Sequence, residues 1–242
     1  MEITQSIVKV DNIRYDFEII SNLIKKKAKV LDIGCGEGDL LALLKNKHDA
    51  TVYGLEISHH KAILAIKKGI PVITGDAKNQ LHYYPDESFD YAILSQTIQA
   101  MQEPKLILEE MLRIAKFAII SLPNFAHFKN RIHLAFKGTM PVNKNIPFQW
   151  FDTPNIHFCS ILDFKNLCEK SGFTIVEERF LDNKKTLNKI FSTKLFSNFF
   201  AQYGIFLLTK TEYLAEYLAT PSPININKTT LTENLTVKEF AS

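Results

Sequence analysis

The sequence predicts an α/β fold. A mostly parallel, seven-stranded sheet should carry helices on both faces and an antiparallel strand at one edge. Two observations predict it. Short runs rich in Val, Ile and Leu alternate with longer helical stretches from residue 29 to residue 122. A glycine-rich turn, Gly34-Cys35-Gly36-Glu37-Gly38, joins the first such run to the first such helix.

The elements follow in order. Ile13, Phe17, Ile20 and Ile24 recur at helical spacing, with Asp11 or Asn12 as a cap. Lys29–Ile33 reads as a buried strand, Asp39–Lys47 as a Leu-rich helix and Thr51–Leu55 as a second strand. Residues 59–68 read as a helix closed by Gly69. Pro71–Thr74 is a third strand. Phe89–Leu94, after the turn Pro85-Asp86-Glu87-Ser88, is a fourth. Pro104–Ile114 is a helix with Pro in its first turn, and Phe117–Leu122 a fifth strand. Such alternation calls for right-handed crossovers and a parallel sheet. Residues 123–160 break the rhythm as an aromatic, Pro-containing insertion. A helix at Ser160–Ser171 and strands at Phe173–Phe180 and Tyr203–Thr209 follow, the last two as an antiparallel pair at one edge. One domain thus covers residues 1–210, and residues 211–242 form a disordered tail in which Thr, Asn, Ser and Pro replace apolar periodicity.

Bulk properties exclude several function classes. The formal charge is only +3, too small for a nucleic-acid surface, and Lys25-Lys26-Lys27 reads as a solvated helix end. No stretch approaches the apolar length of a membrane span, and the N-terminus carries no signal-like region. Three widely spaced cysteines, Cys35, Cys159 and Cys168, argue against a disulfide framework or zinc site and for a reducing compartment. The expected location is cytoplasmic, where the tail's Asn227-Lys228-Thr229 and Asn234-Leu235-Thr236 patterns have no consequence.

The glycine turn follows a strand and opens a helix, which places a ligand against its backbone. A dinucleotide site wants Gly or Ala where this sequence has Asp39, and the acids Asp32 and Glu37 repel a pyrophosphate. S-adenosyl-L-methionine carries a cationic sulfonium and amino group and no phosphate, so acidic neighbours suit it. Its ribose needs a carboxylate at the end of the second strand, where Glu56 stands, followed by Ile57. Gly75-Asp76-Ala77 offers Asp76 to an adenine amino group. The expected nucleoside site is Asp32, Gly34, Cys35, Gly36, Gly38, Glu56, Ile57, Asp76 and Ala77, with Ser95 and Gln96 after the fourth strand.

These motifs resemble the Rossmann-like class I methyltransferase superfamily. Phe89-Asp90-Tyr91-Ala92-Ile93-Leu94-Ser95-Gln96-Thr97-Ile98-Gln99 is similar to the fourth-strand block of the methionine biosynthesis protein MetW family. So are Ile13-Arg14-Tyr15-Asp16, Ser121-Leu122-Pro123-Asn124-Phe125, Gly138-Thr139-Met140-Pro141-Val142 and Trp150-Phe151-Asp152-Thr153-Pro154-Asn155-Ile156-His157. The resemblance runs from about residue 11 to about 210. It implies a role in methionine biosynthesis, S-adenosyl-L-methionine or S-adenosyl-L-homocysteine as ligand, and a homoserine O-acyltransferase, MetX-like, as partner. It implies no methyl acceptor.

No catalytic dyad is identifiable in the sequence. Methyl transfer is an in-line displacement in which positioning supplies much of the rate, so a dedicated base is optional. Gln99, Asn124, Trp150, Asp152, Asn155 and His157 are the candidate acceptor or partner residues, and Met101, Phe125, Phe128, Trp150 and Phe151 are candidates to roof the pocket. His127, His133 and His157 lack metal-ligand spacing, so no metal is expected. The amine-methylating Asn/Asp-Pro-Pro-Tyr/Phe signature is absent. Two readings remain: an accessory protein that reports ligand state to an acyltransferase, and a methyltransferase acting on a small molecule. A dinucleotide oxidoreductase is a remote third.

Overall fold

A computed structural model of the chain describes residues 14–143, 146–182, 185–186 and 194–219. Its strands are β1 (Lys29–Ile33), β2 (Thr51–Glu56), β3 (Val72–Thr74), β4 (Phe89–Ser95), β5 (Ala115–Pro123), β6 (Thr174–Asp182), β7 (Lys185–Thr186) and β8 (Tyr203–Thr209). They form one sheet in the order β3-β2-β1-β4-β5-β8-β6-β7. β1 to β5 pair in parallel. β8 runs antiparallel to β5 and β6, so the expected antiparallel pair is there, with β8 on its inner side. The two-residue β7 extends that edge as an eighth strand.

Alternating side chains explain the layers. Along β1, Leu31 and Ile33 join one buried cluster and Val30 joins the other. Along β5, Ala118, Ile120 and Leu122 face the first, and Phe117 and Ile119 the second. The first cluster packs on α5 (Pro104–Ile114) and α7 (Ile161–Ser171) through Leu108, Met111 and Phe164. The second packs on α1 (Tyr15–Leu23) and α2 (Asp39–His48) through Ile20, Leu40, Leu41 and Leu44. Burying each such Leu, Ile or Phe contributes about 1.5–3 kcal/mol. α3 (His59–Lys67) lies between β2 and β3, and a single turn α4 (Ala77–Gln80) follows β3.

Local signals set the helix ends. Ser160 and Asp163 form a capping box on α7, which ends at the left-handed Gly172. α1 begins after Arg14 without a side-chain cap. It buries Asp16 as well as Ile20, an acid that the apolar stripe does not announce. The expected caps Asp11 and Asn12, the stripe's first member Ile13 and the tail's glycosylation patterns lie outside the described residues.

Two helices add to the expected order: α6 (Phe128–Lys137) lies inside the insertion, and α8 (Lys194–Phe200) precedes β8. The domain also continues past residue 210. After a turn at Thr211–Tyr213, α9 (Leu214–Ala219) buries Leu214 and packs Tyr217 and Leu218 against the second cluster. Tyr217 donates its hydroxyl to Glu177 Oε2 at 2.7 Å, a partner no local periodicity reveals. Among the described residues, no helix is long and apolar enough to cross a membrane.

Candidate functional site

The sheet grows from β1 in both directions, with β2 on one side and β4 on the other. Chain connections diverge there and leave a crevice outside the strands' carboxyl ends. The glycine turn occupies that crevice. Gly34 and Cys35 N–H both donate to Leu55 O, at 2.7 and 3.2 Å, which ties the turn to the end of β2. Gly34 has φ +72°, and a Cβ there would stand 2.8 Å from Thr97 Cγ2, so the segment after β4 presses directly on it. Gly36, at φ +58°, has nothing within 4 Å of the equivalent position and leaves open space for a ligand.

Glu56 holds the turn's other side. Its Oε2 accepts from Gly36 N–H and its Oε1 from Ser58 N–H, each at 2.8 Å. The carboxylate is buried, and each oxygen retains acceptor capacity for a ligand hydroxyl. Ile57, the next residue, is 68% exposed, an apolar surface beside the acid.

Asp32 is the second acid at the crevice. It is 2% exposed in mid-sheet, in register with Gly54 and Ile93, and its Oδ1 has no hydrogen-bond partner among the described residues. Burial pushes its carboxyl up to about 8, Arg14 opposes the shift and Glu56 adds to it. A buried carboxyl oxygen without a partner costs free energy that a cationic ligand would recover. The other two acids of the segment turn outward: Asp39 pairs with Lys68, and Glu37 lies 3.9 Å from the same ammonium. Glu37's expected repulsion of a phosphate is therefore neutralised, and burial keeps Asp32 largely uncharged at pH 7, so that argument now rests on Glu56.

The remaining cofactor candidates take mixed roles. Asp76 caps α4, its Oδ1 accepting from Lys78 N–H at 2.9 Å, and Ala77 is buried in the core. Cys35 packs against Gly54, and burial first, then Asp32 and Glu56, pushes its thiol up to about 12. The thiol is a packing group at neutral pH. Gly38 makes the left-handed entry to α2. Ser95 Oγ lies 3.2 Å from Ser121 Oγ and accepts from Arg14 Nη2 at 3.2 Å. Gln96, at φ +52°, donates its N–H to Ser121 O and its side-chain amide to Asp16 Oδ2 at 3.1 Å. A non-glycine residue held left-handed stores roughly 1–3 kcal/mol, and such strain gathers at functional sites.

Sequence reasoning missed the Arg14–Asp16 pair. Arg14 donates through Nε to Asp16 Oδ1 at 3.1 Å and through Nη2 to Oδ2, and this ion pair braces Gln96. The sequence signals were the Ile13-Arg14-Tyr15-Asp16 block, which carried no assigned role, and an Asp on the core side of an amphipathic helix. The pair walls a cavity of about 730 Å³, within the range of small-molecule sites. Across it stand Lys129, Asn130 and His133 of α6, and Tyr203 of β8. His127 caps α6: its Nδ1 accepts from Lys129 N–H at 3.4 Å, and its buried Nε2 lies 4.0 Å from Asp182 Oδ1. Burial lowers its pKa most, so it is neutral at pH 7, with the proton assigned to Nε2.

None of the six acceptor or partner candidates lines this cavity. Asn124 is spent on structure: its amide donates to Asn198 O and Ala201 O, and its Oδ1 accepts from Ala126 N–H and Ile161 N–H. Gln99 clasps the 150–157 block, its backbone oxygen accepting from Ile156 N–H and His157 N–H. Trp150 and Asp152 are exposed, and Asn155 is half-buried with its N–H on Thr153 Oγ1. His157 is exposed, with Nε2 3.4 Å from Gln102 O. Among the candidate roof residues, Trp150 and Phe151 pack edge-to-face on each other, Phe125 packs on Phe158, Phe128 on Phe199, and Met101 against the core. Among the described residues, no group of three or more His, Cys, Asp or Glu is placed to hold a metal.

Known proteins resemble this chain in sequence and fold. The family model described as "Methionine biosynthesis protein MetW" matches residues 14–208. A bifunctional methionine biosynthesis protein MetXA/MetW of Rhodopirellula baltica is 36% identical over 176 residues, covering 69% of this chain. The chain spans only 28% of that relative's length. A demethylmenaquinone methyltransferase of Bacillus licheniformis is 25% identical over 64% of this chain and 74% of its own. Among solved structures, a SAM-dependent methyltransferase from Thermotoga maritima aligns with TM-score 0.55 and 23% identity, covering 81% of this chain and 91% of its own. That likeness shows the class I methyltransferase fold.

Proposed function

The chain belongs to the methionine biosynthesis protein MetW family, and from that premise we propose that it holds S-adenosyl-L-methionine, or S-adenosyl-L-homocysteine, at the glycine turn and supports a homoserine O-acyltransferase. The observation that carries the cofactor half is Asp32, a buried carboxyl with an unpartnered oxygen beside an open glycine. In this reading Asp32 receives the ligand's cationic end and Glu56 its ribose hydroxyls. Ile57 lies against the adenine, and Asp76 offers its second oxygen to the adenine amino group. Ser95, braced by Arg14, and Gln96, braced by Asp16, bound the methionyl end. The bound cofactor supplies an electrophilic methyl group, and the chain's own residues supply position and exclusion of water.

The partner half is supported by the Rhodopirellula baltica relative, whose name joins MetXA and MetW in one polypeptide. Assay of the same cell's homoserine O-acyltransferase tests it. Adding this protein should change the acyl-transfer rate several-fold, and S-adenosyl-L-methionine should shift that effect. Asp32→Ala should remove the ligand's influence. A rate indifferent to the protein, with and without ligand, would sink the reading.

One observation favours a second reading, a methyltransferase acting on a small acceptor: the 730 Å³ cavity bordered by Gln96 and Arg14. Incubation with methyl-labelled cofactor and cell metabolites should then yield a labelled product and S-adenosyl-L-homocysteine. Cofactor binding without any labelled product would leave the accessory reading alone.

A further inference from the structure

α6 is an amphipathic helix whose apolar side meets little of the rest of the described residues. Phe128, Ile132 and Phe136 recur at four-residue spacing and so share one face. Only Asn130 of the whole helix is buried. Ile132 is 51% exposed and Phe136 86%. Phe128 stacks on Phe199 of α8 with ring centroids 5.7 Å apart, and Phe199 is itself 39% exposed, so the stripe continues onto a second helix. Arg131 lies over the Phe199 ring at 5.6 Å. With Lys129 and Lys137 it gives the stripe a basic border, and α6 contains no acidic residue.

A contiguous apolar strip with a charged border marks an interaction site. We propose that the α6–α8 face is the surface on which the homoserine O-acyltransferase docks, an inference that rests on the partner reading above. The Rhodopirellula baltica relative carries a MetW-like segment and a MetXA part in one chain, which holds the two at high effective concentration. The chemistry asks of the acyltransferase an apolar cleft with an acidic rim. The position suits communication. Lys129, Asn130 and His133 border the cavity from the same helix, so one rigid element touches both the cavity and the docking surface.

Ile132→Glu with Phe136→Glu tests the surface in the full chain. Both side chains are exposed, so melting temperature and S-adenosyl-L-homocysteine affinity should stay at wild-type values. Calorimetry against the purified acyltransferase should show at least a ten-fold loss of affinity, and raised salt should weaken the wild-type complex. If the wild type binds and the double variant binds equally, the surface assignment alone falls. If the wild type does not bind, the partner reading and this inference fall together. If the variant abolishes a concentration-dependent dimer, or adsorption to anionic phospholipid vesicles, without changing acyltransferase affinity, a second copy or a membrane is the occupant and the proposal is overturned.

Discussion

Gly36 donates its N–H to Glu56 Oε2 at 2.8 Å, so one carboxylate both shapes the glycine turn and stands ready for a ligand beside it. Two roles on one side chain predict two coupled losses. Glu56→Gln should weaken S-adenosyl-L-homocysteine binding about 10- to 100-fold, since a hydrogen bond to a charged acceptor is worth roughly 1.5–3 kcal/mol. It should also lower stability by about 1 kcal/mol, because Gly36 and Ser58 lose a charged acceptor. Calorimetry and chemical denaturation measure the two. Unchanged affinity would place the ribose elsewhere.

Asp32 trades stability for binding. Its folded carboxyl titrates at about 8 against 3.8 for an unperturbed aspartate, so its stabilising contribution is complete below 3.8 and is lost as pH rises toward 8. Asp32→Asn should therefore melt higher than wild type, by a widening margin between those pH values and a constant one above. Ligand binding should move oppositely. Wild-type affinity for the cationic cofactor should gain on the variant's as pH rises through about 8. The cofactor's own amino group titrates near 7.7–8.0 in both, so the ratio of affinities is the readout. A pH-independent ratio and melting difference would refute this account of Asp32.

Two neighbouring glycines should respond differently to the same substitution. Gly34→Ala puts a Cβ 2.8 Å from Thr97 Cγ2 at φ +72°, whereas Gly36→Ala at φ +58° meets only backbone strain. Denaturation should show a loss of about 1 kcal/mol for Gly36→Ala and clearly more for Gly34→Ala. Thr97→Ala should recover part of the Gly34→Ala loss and none of the Gly36→Ala loss. For ligand affinity Gly36→Ala should be the more damaging, since its Cβ enters the open space.

Asn124 should behave as a structural residue. Its buried amide makes four hydrogen bonds, three of which join the end of β5 to α7 and to α8 and the residue after it. Asn124→Ala leaves several backbone groups unpaired and should cost about 2–4 kcal/mol of stability. Ligand affinity, measured where the variant is folded, should change little. A selective loss of ligand binding at full stability would return Asn124 to the site.

The strands, the glycine turn and the acid after β2 were legible because each has a local signature. These are alternating side chains, a turn that requires positive φ, and a charge at a strand end. Ser160 and Gly172 marked the ends of α7 for the same reason. What escaped depends on distant partners. Arg14 and Asp16 become site residues only because the start of α1 meets Gln96, 80 positions away. Asn124 looked functional at a strand's carboxyl end, but its distant partners come from α8 and the start of α7. α6 was hidden because its apolar face is not buried, so its spacing read as an aromatic insertion and not as a core helix. α9 was missed because its anchor, Glu177, is itself a buried acid in β6.

Calorimetric titration of S-adenosyl-L-methionine into the wild type, Asp32→Ala and Glu56→Ala tests the central claim most directly. The account predicts saturable one-to-one binding to the wild type and at least a ten-fold loss in each variant, with both variants folded. Wild-type affinity in both variants, or binding of a nicotinamide dinucleotide in place of S-adenosyl-L-methionine, would contradict it.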